Sequence, residues 1–215
     1  MIQIHNNSDT VFIVVHEIYG INAHITGVCD WLAKTKADVL CPNLLGNRQK
    51  PFHYTEELDA YQHFMQNVGF ASAQEQIETL VRSVRHQYRY CFVIGYSIGA
   101  TIAWLCSRHA ELCSGVVGIY GSRIRDYTAQ EAQCPVLLCF PRVEESFDVA
   151  ALVQALAGKT NVNLIKADAL HGFADPLSEK YCAVENETLW RKIFTFIEAQ
   201  KENTPMKLIQ AIESR

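Results

Sequence analysis

Short apolar runs separated by longer amphipathic segments dominate the chain. The run Val11-Phe12-Ile13-Val14-Val15 has no polar alternation, which is typical of a strand covered by helices on both faces. Similar runs recur at distances that leave room for a helix, which predicts a mostly parallel sheet with right-handed crossovers. The predicted strands span 11–15, 38–42, 90–95, 115–120, 135–140 and 162–166, and the predicted helices span 23–34, 56–68, 71–85, 98–108, 148–156 and 186–201.

This alternation continues along the chain without a shift in composition, an internal repeat or a low-complexity segment. With 215 residues, of which 49% are apolar and 20% charged, the sequence predicts one α/β domain over residues 1–215. Segment 45–55 is predicted to be a loop, and residues 205–215 a short terminal helix. The pattern assigns no role to the C-terminal segment 202–215.

Charge and cysteine content narrow the class of protein. The formal net charge is −4, from 19 basic and 23 acidic residues without a long run of one sign, which argues against nucleic acid or anionic membrane as a partner. No apolar run reaches the ~20 residues of a membrane span, and the N-terminus lacks a signal-peptide core. Several of the eight cysteines lie in apolar runs and none forms a Cys-x-x-Cys pair, so we expect reduced thiols in a cytoplasmic protein.

The segment with the clearest chemical content is Gly95-Tyr96-Ser97-Ile98-Gly99, which follows an apolar strand and opens a helix rich in alanine and isoleucine. A strand, a sharp turn that carries a serine, and a helix make up a nucleophile elbow. Glycines on both sides of the serine let the backbone form a crowded turn. The sequence therefore predicts Ser97 as a nucleophile, presented at the start of the helix.

A serine hydroxyl needs a base that takes its proton and a third group that orients the base. In this kind of sheet the partners follow the nucleophile in the order acid, then histidine. Only two of the eight histidines follow Ser97, and the first of them, His109, falls in or at the end of the next helix. The second, His171, begins a loop after the strand 162–166, and we predict it to be the base.

The acid is expected after the strand 135–140, where several carboxylates crowd one loop. Counting from the end of the strand favours Glu144, and Glu145 is the close alternative. Asp148 is predicted to cap the next helix instead.

The motif His16-Glu17-Ile18-Tyr19-Gly20 follows the first predicted strand. It therefore lies at the carboxyl end of that strand, where an oxyanion hole needs a backbone donor. We predict the amides of Ile18 and Ile98 as the two donors, the second aided by the helix dipole. The tyrosines that flank the two motifs, Tyr19 and Tyr96, are predicted to line the site or to pack beside it. Candidate substrate contacts in the bordering loops 46–54 and 121–134 are Tyr54, Tyr120 and Arg123.

Three segments together resemble the dienelactone hydrolase family of α/β-hydrolases: Val14–Gly20, Ile94–Gly99 and His171-Gly172-Phe173-Ala174. The similarity extends from about Val11 to Ala199. The resemblance implies a triad of Ser97, an acid after residue 140, and His171, with Glu17 as the glutamate near the nucleophile.

The sequence departs from that family in three places. The best-known members use a cysteine that the glutamate helps to ionise; with Ser97 in that position, activation rests on His171 and Glu17 is left to orient a loop or a water. Family members place a carboxylate-binding arginine four residues after the histidine, where this chain has Asp175, which would repel an anionic lactone. The family acid is usually an aspartate after a glycine-containing turn, whereas this chain reads Pro141-Arg142-Val143-Glu144.

These features predict a serine hydrolase for small neutral esters or lactones, without a metal or a cofactor, and either a monomer or a homodimer. A thioesterase, a peptidase or an acyltransferase would use the same residues, because the fold does not fix the acyl group or its acceptor. A non-catalytic relative that binds a ligand or a protein partner is the alternative outside the enzymes.

Overall fold

A seven-stranded, mostly parallel sheet forms the centre of the protein. The structure, a computed structural model, describes every residue except 47, 49, 214 and 215, and only the backbone of 203–213. The strand order is β1-β3-β2-β4-β5-β6-β7, in which β1 runs antiparallel to its neighbour β3. The strands are β1 (Ile2–Ile4), β2 (Thr10–Val15), β3 (Asp38–Cys41), β4 (Tyr90–Tyr96), β5 (Gly115–Ile119), β6 (Val136–Val143) and β7 (Val162–Leu170).

Helices cover both faces of this sheet, which explains why its central strands are apolar throughout. Every residue of β2, β4 and β5 is buried. Alternate side chains of β2 join two separate cores, with Val11, Ile13 and Val15 on one face and Phe12 and Val14 on the other. The helices are α1 (Ala23–Ala33), α2 (Glu57–Asn67), α3 (Gly69–Val84), α4 (Ile98–Cys106), α5 (Val149–Leu156) and α6 (Ala183–Glu213).

The fold class, the six predicted strands and the six predicted helices are confirmed; β6 runs to Val143, three residues beyond its predicted end, and three further differences follow. The sequence pattern missed β1, a three-residue edge strand in which only Gln3 is exposed. Strand β7 continues four residues beyond its predicted end, to Leu170. The predicted separate terminal helix is wrong, because α6 continues through Pro205 to Glu213; proline removes one helical hydrogen bond, which does not always end a helix. Positions 47 and 49 of the predicted loop, and 214 and 215 at the end, lie outside the described residues.

Two other expectations concern the cysteines and the membrane. All eight cysteines are free thiols, and all except Cys182 are buried. In the part of the chain that the structure describes, no helix combines the length and the apolar character needed to cross a bilayer.

Candidate active site

The turn between β4 and α4 holds Ser97 in a strained backbone conformation. Its φ of 52° lies in the left-handed region, at ψ −114°, and such conformations cost on the order of 1–3 kcal/mol. Both flanking glycines are required by close packing: a Cβ on Gly95 would lie 2.0 Å from the carbonyl oxygen of Gly99, and one on Gly99 would lie 2.2 Å from that of Val15. The turn therefore presents the serine at the start of α4, beside the end of β2.

Ser97, His171 and Glu144 form one line of hydrogen bonds. The Oγ of Ser97 lies 3.2 Å from Nε2 of His171, and Nδ1 of the same ring lies 2.6 Å from Oε1 of Glu144. Glu144 accepts only, so the Nδ1 proton points to it and Nε2 is left to accept from the serine hydroxyl. The glutamate side chain is 8% exposed and the histidine 31%. The acid is thus shielded, while the base remains open to a substrate.

The other candidates for base and acid lie elsewhere. His109 contacts Glu78 at 3.4 Å, away from the serine. Glu145 is exposed. Asp148 is the N-cap of α5, where its carboxylate accepts from the amides of Ala150 and Ala151, as the sequence predicted.

The two predicted oxyanion donors lie at the start of α4 and in the turn after β2. Ile98 is the first residue of α4, and the first amides of a helix have no acceptor within the helix. Ile18 is the second residue of a turn that the Gly20 amide closes on the Glu17 carbonyl at 3.1 Å. The Ile18 amide is not used in closing that turn.

His16 fixes the start of this turn. Its Nδ1 donates to the Glu17 carbonyl at 2.6 Å, and its Nε2 accepts from the Leu44 amide at 2.8 Å. The neutral ring satisfies both bonds, and complete burial lowers its pKa to about 4. His16 therefore acts as a neutral link between the turn and the loop after β3.

Glu17 points into the protein and meets two other titratable residues. The Oε2 of Glu17 and the Oδ2 of Asp175 each lie 3.7 Å from Nδ1 of His24. Burial acts to raise the pKa of Glu17, but His24, His171 and the Tyr120 hydroxyl outweigh it, and that pKa is lowered. Asp175 also accepts from the Tyr54 hydroxyl at 2.5 Å. The carboxylate expected to repel an anionic substrate is therefore buried and engaged by protein groups.

Of the four tyrosines predicted at or near the site, two are buried and two are partly exposed. Tyr96 and Tyr120 are both 0% exposed, so neither is open to a substrate, and the interpretation of Tyr120 as a substrate contact is wrong. The Tyr120 ring instead packs against His171, with centroids 4.7 Å apart. Tyr19 is partly buried and meets the 38%-exposed Tyr54 edge to face at 4.9 Å.

The last predicted contact, Arg123, pairs with Asp126 three residues further on and with Tyr61 of α2. Its Nε lies 2.7 Å from Asp126, and its NH1 lies 3.3 Å from the Tyr61 hydroxyl. Both partners lie outside the line of hydrogen bonds that contains Ser97.

Sequence reasoning missed His24 and the packing role of Tyr120. A signal for His24 was available, because the buried positions of α1 are His24, Ile25, Val28, Cys29 and Leu32, which places the histidine on the core face of an amphipathic helix. A histidine on such a face needs a polar partner inside the protein. No local pattern identifies that partner as a pair of carboxylates from two other segments.

The chain is similar to proteins of one hydrolase family, in sequence and in fold. The model of the dienelactone hydrolase family matches residues 2–200. The uncharacterised protein YczH of Bacillus subtilis is 41% identical over 193 residues, which cover 89% of this chain and 92% of that protein. A protein of Klebsiella pneumoniae, provisionally named a dienelactone hydrolase, has a solved structure that superposes with a TM-score of 0.74 at 21% identity, covering 86% of this chain and 85% of its own. An esterase of Pyrococcus furiosus superposes with a TM-score of 0.64 at 17% identity, covering 92% and 84%.

Proposed function

Since the chain belongs to the dienelactone hydrolase family, and is therefore a hydrolase that acts on ester bonds, we propose that it cleaves small esters or lactones through Ser97, His171 and Glu144. The observation that carries the proposal is the line of hydrogen bonds from Glu144 through His171 to the Ser97 hydroxyl. Such a line combines a nucleophile, a general base and a group that holds the base in one tautomer.

In the first half of the reaction, Nε2 of His171 takes the proton of Ser97 while Oγ attacks the carbonyl carbon of the ester. The negative oxygen of the tetrahedral intermediate accepts hydrogen bonds from the amides of Ile18 and Ile98. Loss of one such donor typically costs about 3 kcal/mol of transition-state stabilisation. His171 then gives its proton to the departing alkoxide, the ester C–O bond breaks, and the acyl group stays on Ser97.

In the second half, a water molecule attacks the acyl carbon while His171 takes one of its protons. The second tetrahedral intermediate uses the same two amides. When it collapses, the bond to Oγ breaks, the carboxylic acid leaves, and His171 returns the proton to Ser97. Glu144 keeps its charge throughout and stabilises the imidazolium that forms in both halves.

We place neutral esters and lactones ahead of anionic ones as substrates. Glu17 and Asp175 contribute two carboxylates next to the loop of His171. Among the residues that the structure describes, neither carboxylate pairs with an arginine or lysine. At position 175 the chain also lacks the arginine with which the family binds a substrate carboxylate. The free cysteines support a reducing compartment, such as the cytoplasm, as the place of this activity.

A fluorophosphonate probe tests the nucleophile directly, because it forms a stable adduct with an activated serine. We would compare the intact masses of the wild type, Ser97→Ala, His171→Ala and the control Ser83→Ala, which removes an exposed serine on α3. We expect one adduct on the wild type and on the control, and none on the other two. Folded wild-type protein that gains no adduct would contradict the proposal and favour a binding role.

Turnover then separates the ester hydrolase from enzymes that share its machinery. We expect p-nitrophenyl acetate to be hydrolysed with a higher kcat/KM than p-nitrophenyl hemisuccinate, which carries a carboxylate, and than an acetyl thioester. Faster turnover of the thioester would favour the thioesterase, and a preference for the hemisuccinate would contradict the assignment to neutral substrates. Ser97→Ala should be inactive on all three compounds.

A further inference from the structure

Glu17, His24 and Asp175 form a buried cluster that the proposed reaction does not use for proton transfer. They are 5%, 4% and 2% exposed. The three residues come from separate parts of the fold: the turn after β2, the first turn of α1, and the loop after β7. One ligand atom from each residue lies within 4.8 Å of the other two.

The contacts within the cluster are not ordinary hydrogen bonds. Both carboxylate oxygens are 3.7 Å from Nδ1 of His24, which exceeds the 2.7–3.2 Å of a hydrogen bond by about half an ångström. Both ring nitrogens of His24 are buried, and neither has a hydrogen-bond partner among the residues that the structure describes. A buried polar atom without a partner needs an explanation, and a bound ion is one of those that natural proteins provide. An imidazole nitrogen is thus directed at two carboxylates, at a distance longer than direct bonding needs.

The negative charge of the cluster also indicates a bound cation. Two carboxylates are buried together, and effective desolvation costs several kcal/mol per ion unless a cation balances them. In the described part of the chain, the only basic side chain within ion-pairing distance of either is His24. A proton on His24 would leave one negative charge uncompensated, whereas a divalent ion would balance both carboxylates.

We propose that Glu17, His24 and Asp175 bind a divalent metal ion of the Zn²⁺ class. A zinc ion binds histidine nitrogen and carboxylate oxygen at about 2.0–2.2 Å, and at such distances the observed separations correspond to an angle of about 125° at the ion. One nitrogen and two carboxylates suit zinc and its transition-metal neighbours, whereas Ca²⁺ and Mg²⁺ prefer oxygen ligands alone.

The ion would hold together the segments that surround the nucleophile. Glu17 directly precedes Ile18, whose amide is a proposed oxyanion donor, and Asp175 follows His171 in the same loop. Asp175 is itself held by the Tyr54 hydroxyl at 2.5 Å and by the Leu177 amide at 2.8 Å. Partners of this kind orient metal ligands. The role is structural, and no step of ester hydrolysis passes through the metal.

The experiment measures metal content and stability on untagged protein, stripped with a chelator, reloaded with Zn²⁺ and freed of excess ion. We expect about one equivalent of zinc in the wild type and less than about a tenth in His24→Gln and Asp175→Asn. The matched control is His5→Gln, which removes a histidine beside another buried carboxylate, that of Asp38; it should keep the full equivalent. Zinc should raise the Tm of the wild type and of the control, and leave that of the two cluster variants unchanged.

Cobalt substitution distinguishes this site from the eight cysteines. Co²⁺ in the cluster should give ligand-field bands without thiolate-to-cobalt charge transfer, so charge-transfer bands would assign the metal to cysteines and overturn the proposal. Wild-type protein that holds no stoichiometric metal overturns it as well, even if the variants fail to fold. Ser97→Ala should bind the metal as the wild type does, so this test and that of the hydrolase activity fail independently.

Discussion

Gly99 on α4 packs directly against Val15 at the end of β2. A Cβ on the glycine would lie 2.2 Å from the Val15 carbonyl oxygen and 2.7 Å from that of His16. Both obstacles are backbone atoms, which cannot rotate away as the end of a side chain can. This contact brings the start of α4, with the proposed Ile98 donor, close to the turn that carries the Ile18 donor.

Gly99→Ala should therefore disrupt the elbow. We expect the free energy of unfolding to fall by about 1–3 kcal/mol, the usual cost of overpacking a core, and ester hydrolysis to be lost because the helix start must move. Urea denaturation and p-nitrophenyl acetate turnover measure the two effects.

Gly27→Ala provides the matched control, since Gly27 lies on the exposed face of α1 and a Cβ there meets no atom of the described residues within 4 Å. This substitution should stabilise the protein by roughly 0.5–1 kcal/mol, because alanine favours the helix, and leave turnover unchanged. If both alanine variants behaved alike, the close approach of Gly99 to Val15 would not matter.

Glu144→Gln should lower kcat by about 10³- to 10⁴-fold, because a neutral amide cannot stabilise the imidazolium and can present its NH₂ group to Nδ1 of His171. Glu145→Gln, which changes the exposed next residue of the same loop, should leave kcat unchanged. Steady-state kinetics on a single ester decides between them. Equal losses of kcat in the two variants, or a loss in Glu145→Gln alone, would show that Glu144 is not the acid of the triad.

The sequence was sufficient to predict the fold class and to predict that Ser97, His171 and Glu144 lie close together. Local signals determine these positions: an elbow motif between a strand and a helix, a loop histidine after the sixth predicted strand, and a carboxylate just after the fifth. Parallel strands end at the same edge of the sheet, so residues at successive strand ends meet. Glu144 could be preferred to Glu145 only by counting residues from the end of the predicted strand. The 2.6 Å contact between Glu144 and His171 depends on side-chain packing, which the sequence does not show.

The remaining features depend on contacts that no local pattern encodes. Glu17, His24 and Asp175 converge from three segments, and a single sequence gives no sign of their pairing. Tyr120 has a φ of 44°, a conformation unusual for tyrosine that places its ring against His171. Strand β1 was missed because a three-residue edge strand has too few positions to show a period.

Asp148→Ala tests the distinction between a helix cap and a catalytic acid in the same loop. The Asp148 carboxylate accepts from the amides of Ala150 and Ala151 at 2.8 and 3.2 Å, so its loss should cost about 1 kcal/mol of unfolding free energy. The same variant should keep the kcat of the wild type, in contrast to Glu144→Gln. A large loss of kcat at unchanged stability would instead place Asp148 in the reaction.

Asp38 links stability to pH at the edge of the sheet away from the nucleophile. Burial acts to raise the pKa of its carboxyl, but hydrogen bonds from the amides of Asn6 and Ser8, the Tyr88 hydroxyl and His5 outweigh burial, and the pKa is lowered. The folded protein therefore favours the charged carboxylate more than the unfolded chain does. The resulting stability is present above the ordinary pKa of 3.8 and is lost as the pH falls below it.

Asp38→Asn should consequently be less stable than the wild type by about 1–3 kcal/mol at pH 7, since an amide makes weaker hydrogen bonds and cannot accept at both of its polar atoms. The difference should shrink as the pH is lowered from 5 to 3, because Asp38 takes up a proton more readily in the unfolded wild-type chain than in the folded protein, while asparagine does not titrate. Urea unfolding of both proteins across this range measures the two curves. His5→Gln, which removes the most exposed of these partners, should reduce stability much less at pH 7. Parallel curves for Asp38→Asn and the wild type would show that the pKa of Asp38 is the same in the folded and unfolded chain.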